Sequence, residues 1–386
     1  MQVMRKRLVT RLLRARLADT PAVALLGPRQ SGKTTLAQSL AGAYFDAEVD
    51  ADRLRLDLGW DALAAGRKLV VIDEAQTWPA IFPRLRSAID AVRRRNGRFL
   101  LLGSVSPALM QEVSESLAGR LARVELTPFL LAELGPRTLD RLWLYGGFPD
   151  GGVLSTRSAS FPVWQRDYLA LMTQRDLPAW GLSARPQTTQ RLLAMLAAVN
   201  GQIWNASLLG QGLGLSYHTV NHYLDLLEGA YLVRRLPPWS GNLRKRLVKS
   251  PKVYLRDSGL LHALLGVESG DALLRHPAVG ASWEGFIIEQ MLGHLTARGT
   301  AFESCFFRTS DGYEIDLVLR IGARLAAFEI KLASTASPED LARLERAAAL
   351  IGAHHCYLIC RTRKPVMEGH RGVLNPAAAL ELLDEL

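Results

Sequence analysis

Gly27-Pro28-Arg29-Gln30-Ser31-Gly32-Lys33-Thr34 satisfies G-x-x-x-x-G-K-[ST] at every fixed position and follows directly on the apolar run Val23–Leu26. A chain carrying this segment is committed locally to one unit: a buried strand, a glycine-rich turn, and a helix opening at Thr34. The glycines let backbone N–H groups turn inward around phosphates. Lys33 reaches the β- and γ-phosphates as a point charge, and the Thr34 hydroxyl completes a Mg2+ shell. Gly27, Pro28, Arg29, Gln30, Ser31, Gly32, Lys33, Thr34 and Thr35 are the candidate binding residues for ATP or GTP.

The second half of such a site lies in Leu69-Val70-Val71-Ile72-Asp73-Glu74, four apolar residues ending in two carboxylates. This reads as a buried parallel strand delivering acid groups at its C-terminal edge. Asp73 is expected to hold Mg2+ through water and Glu74 to polarise the attacking water. A third run, Phe99–Leu102, ends in Gly103-Ser104, which makes Ser104 a candidate γ-phosphate sensor beside those carboxylates. Arg120, ahead of the strand-like Val124–Leu126, is the candidate that stabilises charge on the transferring phosphoryl group, in cis or from a neighbouring subunit.

With 386 residues the chain exceeds one ordinary core and predicts two or three domains. A hydrophobic share of 48% with 22% charged residues is that of a globular protein. The net charge of +10 favours a polyanionic partner, nucleic acid first, although an arginine-rich background gives the same excess. Residues 1–17 read as an amphipathic helix, with Leu8, Leu12, Leu13 and Leu17 on one stripe, packing beside the nucleotide site. Arginines interrupt it too often for a signal peptide or membrane span, so a cytoplasmic protein with no membrane partner is expected. The three cysteines, Cys305, Cys356 and Cys360, fall short of a zinc set and read as buried thiols. Arg84, Arg86, Arg93, Arg94, Arg95 and Arg98 form either a solvated basic face or a phosphate-backbone contact.

Gly146-Gly147-Phe148-Pro149, followed by Gly151-Gly152, breaks the pattern and is expected to close a nucleotide-binding domain at 1–148. Residues 149–187 read as a helical connector with Trp164 and Tyr168 on one packing stripe. Residues 188–256 read as a winged helix-turn-helix: a helix over Gln190–Val199, a second capped by Asn205, and a third capped by Ser216 and running through Leu227. Val220, Tyr223, Leu224 and Leu227 face its core, leaving Tyr217, His218, Asn221 and His222 outward. Tyr231–Leu236 and Lys252–Leu255 read as the paired strands of the wing. Every charged residue between Ala230 and Arg256 is basic, which makes Arg234, Arg235, Arg244, Lys245, Arg246 and Lys249 candidate DNA contacts. The alternative is a protein-interaction or lid module.

Residues 257–386 hold a second acidic set. Glu284 and Glu289 sit at the start of a helix, Glu314–Leu319 alternates as a strand, and Phe328-Glu329-Ile330-Lys331 ends another after a turn at Gly322. The period of two places Glu329 and Lys331 on one face, where Asp316 of the preceding strand is expected to meet them. Two carboxylates and a lysine converging at a sheet edge bind Mg2+ or Mn2+ and orient a water against a phosphodiester. Glu284, Asp316 and Glu329 are thus candidate metal ligands and Lys331 a candidate catalytic residue. This is the PD-(D/E)XK nuclease pattern, lacking its proline because Ile315 precedes Asp316.

With these residues in place, the chain resembles prokaryotic AAA+-like ATPases that carry a C-terminal domain of unknown function with a restriction-endonuclease-like fold. The landmarks are the P-loop, Ile72-Asp73-Glu74-Ala75-Gln76, Leu117-Ala118-Gly119-Arg120, Gly146-Gly147-Phe148-Pro149, Asp257-Ser258-Gly259-Leu260 and Glu329-Ile330-Lys331. Leu102 departs from the Thr-Gly-Ser often found at the third strand. The spacing of Glu284, Asp316, Glu329 and Lys331 also looks like that of archaeal Holliday-junction resolvases. The resemblance implies an ATPase, a winged helix and a nuclease-like domain in that order, with ATP as the nucleotide. The expected fold class is therefore α/β, and the expected function is a DNA-associated ATPase of repair, recombination or defence acting on duplex or branched DNA. The alternative is a regulatory NTPase switch that binds protein partners or its own copies, with an inert nuclease-like scaffold.

Overall fold

The computed structural model describes residues 5–104, 117–155, 161–241 and 247–386. They form two compact units. The first comprises the described residues up to Phe129 together with 229–231 and 296–299, and the second comprises the rest. Of the expected DNA contacts, Arg244, Lys245 and Arg246 lie outside the described residues.

In the first unit five parallel strands, β1 (Ala22–Leu26), β2 (Ala43–Asp46), β3 (Val70–Asp73), β4 (Phe99–Gly103) and β5 (Leu121–Glu125), run in the order β2-β3-β4-β1-β5. Every residue of β1, β3 and β4 is buried, which is why these segments read as continuous apolar runs. Insertion of β4 between β1 and β3 brings the P-loop, Ser104 and Asp73 to one C-terminal edge, where open parallel sheets bind ligands. Edge strand β2 carries no such apolar run; only Phe45 of its four residues is buried.

Helix α1 spans Thr10–Asp19 and buries Leu13 and Leu17. It starts later than the periodicity predicts, and Arg7 ahead of it is buried rather than solvated. The P-loop helix α2 is Lys33–Gln38. The arginine-rich stretch is mostly structural. Arg98 is buried and donates to Ala88 O (2.5 Å) and Ala64 O (2.6 Å), Arg95 donates to Ala65 O (2.9 Å), and Arg84 pairs with Asp57. These side chains cap helix carbonyls and pair with local carboxylates, a use that a count of basic residues does not reveal.

The second unit begins with helices and ends in a mixed sheet. Helices at Pro186–Ala198, Ala206–Leu213 and Tyr217–Gly229 precede the antiparallel pair β6 (Val233–Leu236) and β7 (Lys252–Leu255). Val220, Tyr223, Leu224 and Leu227 are buried in the third helix, while Tyr217, His218 and His222 are exposed. Asn221 is instead engaged, accepting from Trp204 Nε1 at 2.8 Å.

A long helix, Val279–Arg298, then leads into β8 (Glu303–Arg308), β9 (Glu314–Ile321), β10 (Arg324–Ile330), β11 (His355–Ile359), β12 (Val366–Glu368) and β13 (Arg371–Leu374). Their order is β12-β13-β11-β10-β9-β8. The first three strands form an antiparallel meander, and β10, β11 and β13 are mutually parallel. Leu344, Ala347, Ala348 and Ile351 of the helix Pro338–Ile351 cover Ile315, Val318, Ala327 and Cys356 of the sheet. Burial pushes the Cys305 thiol up to about 12 and Cys356 up to about 11, so both are inert apolar fillers.

The glycine run at 146–149 lies inside the second unit instead of closing the first. Gly146 adopts φ 80°, and a Cβ there would stand 2.2 Å from Asp257 Oδ1. Asp257 Oδ2 accepts from the Gly147 N–H (2.8 Å), and Oδ1 caps the helix Ser258–Leu264 through Leu260 N–H (3.0 Å). Two landmarks 110 residues apart are thus one clasp. Burial raises Asp257 to about 6 against the lowering effect of those amide bonds.

Candidate active site

The P-loop begins where β1 ends. Gly27 passes so close to β5 that a Cβ would lie 2.1 Å from Leu126 O, so only glycine fits. Arg7 fastens the loop from outside: it donates to Ser31 O (2.9 Å) and Thr127 O (2.6 Å), and its guanidinium lies 4.3 Å from the Phe129 ring centroid. The Lys33 ammonium folds back onto Gly27 O (3.0 Å) and Pro28 O (2.9 Å). Burial lowers it to about 8, despite the opposing pull of Glu74 and Asp73.

Asp73 is the hub. Its Oδ2 accepts from Thr34 Oγ1 (2.6 Å) and Tyr44 OH (2.7 Å), and its Oδ1 from the Glu74 N–H (2.9 Å). Burial, reinforced by the bond to Asp73, holds the Tyr44 phenol well above its ordinary range, so it stays a donor. Glu74 adopts φ 46°, ψ 43°, a left-handed conformation that costs a non-glycine residue about 1–2 kcal/mol. Ser104 Oγ donates to Glu74 Oε1 (2.9 Å), and Gln76 Nε2 donates to Oε2. The turn after β3 thus aims Glu74 at the edge of the sheet, and two neutral donors fix its carboxylate.

The arrangement fits a magnesium nucleotide. Lys33 is satisfied only by loop carbonyls, two hydroxyls stand on Asp73, and Ser31 Oγ is buried with no hydrogen-bond partner among the described residues. Lys33 and the loop amides would hold the phosphates, and Thr34 and Asp73 the ion, which neutralises phosphate charge when bound. Thr35 follows on α2, and Arg29 pairs with Glu48 (3.1 Å) at the rim.

Arg120 is not part of this cluster. The register pairs Ala22 with Leu121 and Leu26 with Glu125, which leaves Arg120 at the opposite end of the strands, about 20 Å from the P-loop at some 3.3 Å per residue. There it binds Asp90 in a fork, Nε to Oδ1 at 2.8 Å and Nη2 to Oδ2 at 2.9 Å. A role in cis is thereby corrected, because a rigid strand separates the guanidinium from the phosphate site of its own chain.

The second acidic set is assembled differently from the expectation. The register of β9 and β10 sets Leu317 opposite Phe328, so Asp316 and Glu329 are cross-strand neighbours on one face. Between Asp316 and the helix-borne Glu284 stands Lys252 of β7, which the sequence reading had left out of the site. Its Nζ lies 3.0 Å from Glu284 Oε1, 3.1 Å from Glu314 Oε1 and 3.7 Å from Asp316 Oδ1. Tyr254 OH also donates to Glu284 Oε1 (2.5 Å), and Asp316 Oδ2 accepts the Ile330 N–H (2.9 Å).

Burial alone would push the Lys252 ammonium down, but Glu284, Asp316 and Glu314 more than reverse that and hold it above its usual range. Burial raises Asp316 well above the carboxylate range, with Glu284 and Glu329 adding to the effect. Glu329 is pushed up to about 7, chiefly by burial. Lys331 has a partner of its own. It lies just beyond β10 and pairs with Asp340, whose other oxygen closes a capping box with Ser337 at the start of the next helix. Among the described residues, no group of three or more His, Cys, Asp or Glu side chains is placed to hold a metal ion.

The basic stretch is neutralised from within. Glu289, the second acid of the helix that carries Glu284, accepts from Arg234 (Nε, 2.6 Å; Nη2, 3.0 Å) and Arg256 (Nε, 2.6 Å). Burial alone would raise Glu289; the two arginines instead hold it below its ordinary range. Arg235 pairs with Asp225 (2.7 Å) and Glu228. Arg234 and Arg235, expected as DNA contacts, are thus paired within the chain: the absence of acids from their own stretch concealed partners on neighbouring helices. Lys249 is exposed. Sequence signals for the missed residues did exist, since Lys252 and Tyr254, like Glu314 and Asp316, stand two apart on a strand and share a face.

A parallel sheet with a P-loop, an acid pair and a polar residue at one edge defines a Walker-type AAA ATPase domain. Residues 19–135 match an AAA domain, 136–271 a domain of unknown function (DUF8612) and 279–380 a further domain of unknown function (DUF4143). An uncharacterised protein of Mycobacterium tuberculosis is 41% identical over 341 residues, covering 87% of this chain and 76% of that protein. An uncharacterised protein of Haemophilus influenzae is 26% identical over 219 residues, 51% of this chain and 52% of its own length. A solved Walker-type ATPase of Pyrococcus abyssi shows a TM-score of 0.45 at 15% identity, over 67% of this chain and 94% of its own. The chain belongs to the same family as the Mycobacterium tuberculosis protein, and in it an AAA domain precedes two domains of unknown function. Among the described residues no helix is long and apolar enough to cross a membrane.

Proposed function

We propose that the protein is an ATP hydrolase that works as a regulatory switch. In this reading Glu74 accepts the proton of the attacking water, while Ser104 and Gln76 aim that carboxylate and sense the nucleotide state. Lys33 and the loop amides bear the phosphate charge, and Thr34 with Asp73 holds Mg2+. The observation that carries it is the bonded set Thr34–Asp73 and Ser104–Glu74, supplied by three separate strand ends. Phosphate release by the full chain, with Mg2+ and ATP, tests it: hydrolysis equal in wild type and Glu74→Gln removes Glu74 from the reaction.

For the second unit, the three helices and the β6–β7 pair support a winged helix, and the order helix, meander, helix, parallel strand supports a nuclease-like scaffold. Internal neutralisation of Arg234, Arg235 and Arg256 favours a protein-binding switch over a DNA-cleaving enzyme. DNA association is the second reading, resting on exposed Lys249 and on Arg244, Lys245 and Arg246 in the sequence between the strands. Reversing those four charges then weakens duplex and junction binding and flattens its salt dependence, because phosphate contacts release counterions. Salt-independent or absent binding by wild type leaves the protein-partner reading.

A further inference from the structure

The nuclease pattern on the mixed sheet implies a divalent ion held by Glu284, Asp316 and Glu329. The residues present do not fit one. Lys252 enters from β7 with a side chain only 4% exposed, and its ammonium lies within 3.0 to 3.7 Å of Glu284, Glu314 and Asp316. A divalent ion drawn to the same oxygens would meet a fixed positive charge at contact range and strip that charge of its counterions.

Two of the oxygens carry further donors. Tyr254 shares Glu284 Oε1 with the lysine, and the Ile330 amide takes Asp316 Oδ2. Lys331, which acts beside the metal in a nuclease of this pattern, is paired with Asp340. Three separate elements, β7, β9 and the helix Val279–Arg298, each contribute side chains to the nest, so the lysine is held from several sides of the fold.

We infer that Lys252 is the resident cation of this domain, standing in place of a divalent metal, so that the domain is complete without one and does not cleave phosphodiesters. A lysine neutralises buried carboxylates as an ion does, but it offers no exchangeable coordination position. It therefore cannot bind a water and lower its pKa, which is what a metal supplies to hydrolysis. The inference is independent of the ATPase reading, because it concerns the nucleotide-free protein and leaves Lys33 and Asp73 untouched.

Thermal unfolding of the nucleotide-free full chain in EDTA and in millimolar Mn2+ tests it, together with Mn2+ titration calorimetry. Wild type should unfold at the same temperature in both, with no heat of binding that Asp316→Asn removes. Lys252→Met should unfold at a lower temperature in EDTA and regain roughly 5 °C or more in Mn2+, a gain lost in the double variant Lys252→Met/Asp316→Asn. Three results overturn the inference: Asp316-dependent Mn2+ binding by wild type, Lys252→Met as stable as wild type in EDTA, or Lys252→Met that Mn2+ does not rescue. The wild-type titration decides the matter even where the variant fails to fold.

Discussion

Asp73 and Glu74 at the edge of the parallel sheet, and Glu314 and Asp316 of the mixed sheet with the helix-borne Glu284, are both gathered carboxylate groups. They differ in what neutralises them. The first pair is held by hydroxyls and amides, from Thr34, Tyr44, Ser104 and Gln76, and its neighbouring cation Lys33 rests on loop carbonyls. The second group surrounds the buried ammonium of Lys252. Neutral donors are exchangeable for a ligand at modest cost, about 1 kcal/mol net for each hydrogen bond. An ion pair inside a protein is not, since removing one partner strands the other charge. The same chemistry of gathered acids therefore yields one site poised to receive a ligand and one that is closed.

The largest effect that sharpens this contrast is on hydrolysis. Lys33→Ala should abolish ATP binding and with it turnover. Glu74→Gln should bind ATP within a few-fold of wild type and lose on the order of 10³ in kcat, as read by nucleotide binding and phosphate release. Saturating Mg2+ and ATP should raise wild-type stability by about 2.7 kcal/mol at a hundred times Kd, as read by unfolding. Lys33→Ala should lose that gain, and Asp316→Asn should keep it. A gain that depends on Asp316 breaks the contrast.

Next in size is the ion-pair framework behind the closed site. Glu289→Ala strands Arg234 and Arg256 and should destabilise by about 3–5 kcal/mol in urea, with no change in the ATPase rate per folded molecule. Smaller still, Ser104→Ala should lower kcat by about tenfold and leave ATP affinity near wild type, since it frees one oxygen of Glu74.

The last is a pH effect. Glu329 titrates at about 7 in the folded chain, above its ordinary 4.5, so between these values the folded state holds a proton that the unfolded state has released. Its contribution to stability is full below about 4.5 and is lost as pH rises through 7, by at most about 1.4 kcal/mol per pH unit. Glu329→Gln should flatten that slope in urea denaturation measured across the window. A slope unchanged by the substitution means that the carboxyl is not confined by burial.

The sequence by itself determined the P-loop, the strand that ends in Asp73-Glu74 and the polar residue after the third strand. Each is a contiguous run whose backbone geometry and hydrophobic period are local properties. It also placed Asp316 and Glu329 on one face, because side-chain alternation along a strand is local too. It read the glycine run at Gly146 as a break and gave no sign of the partner of Gly147, Asp257, 110 residues away. Only the tertiary structure decided which charges are free. Arg120, Arg234, Arg235 and Lys331 look available in sequence, yet each is paired, with Asp90, Glu289, Glu228 and Asp340 respectively. Lys252 looked like one more base in a positive stretch, yet it is the cation of an acidic nest. The reason is that charge neutralisation acts through space over a few ångströms, and strand pairing brings together side chains that no periodicity along the chain connects.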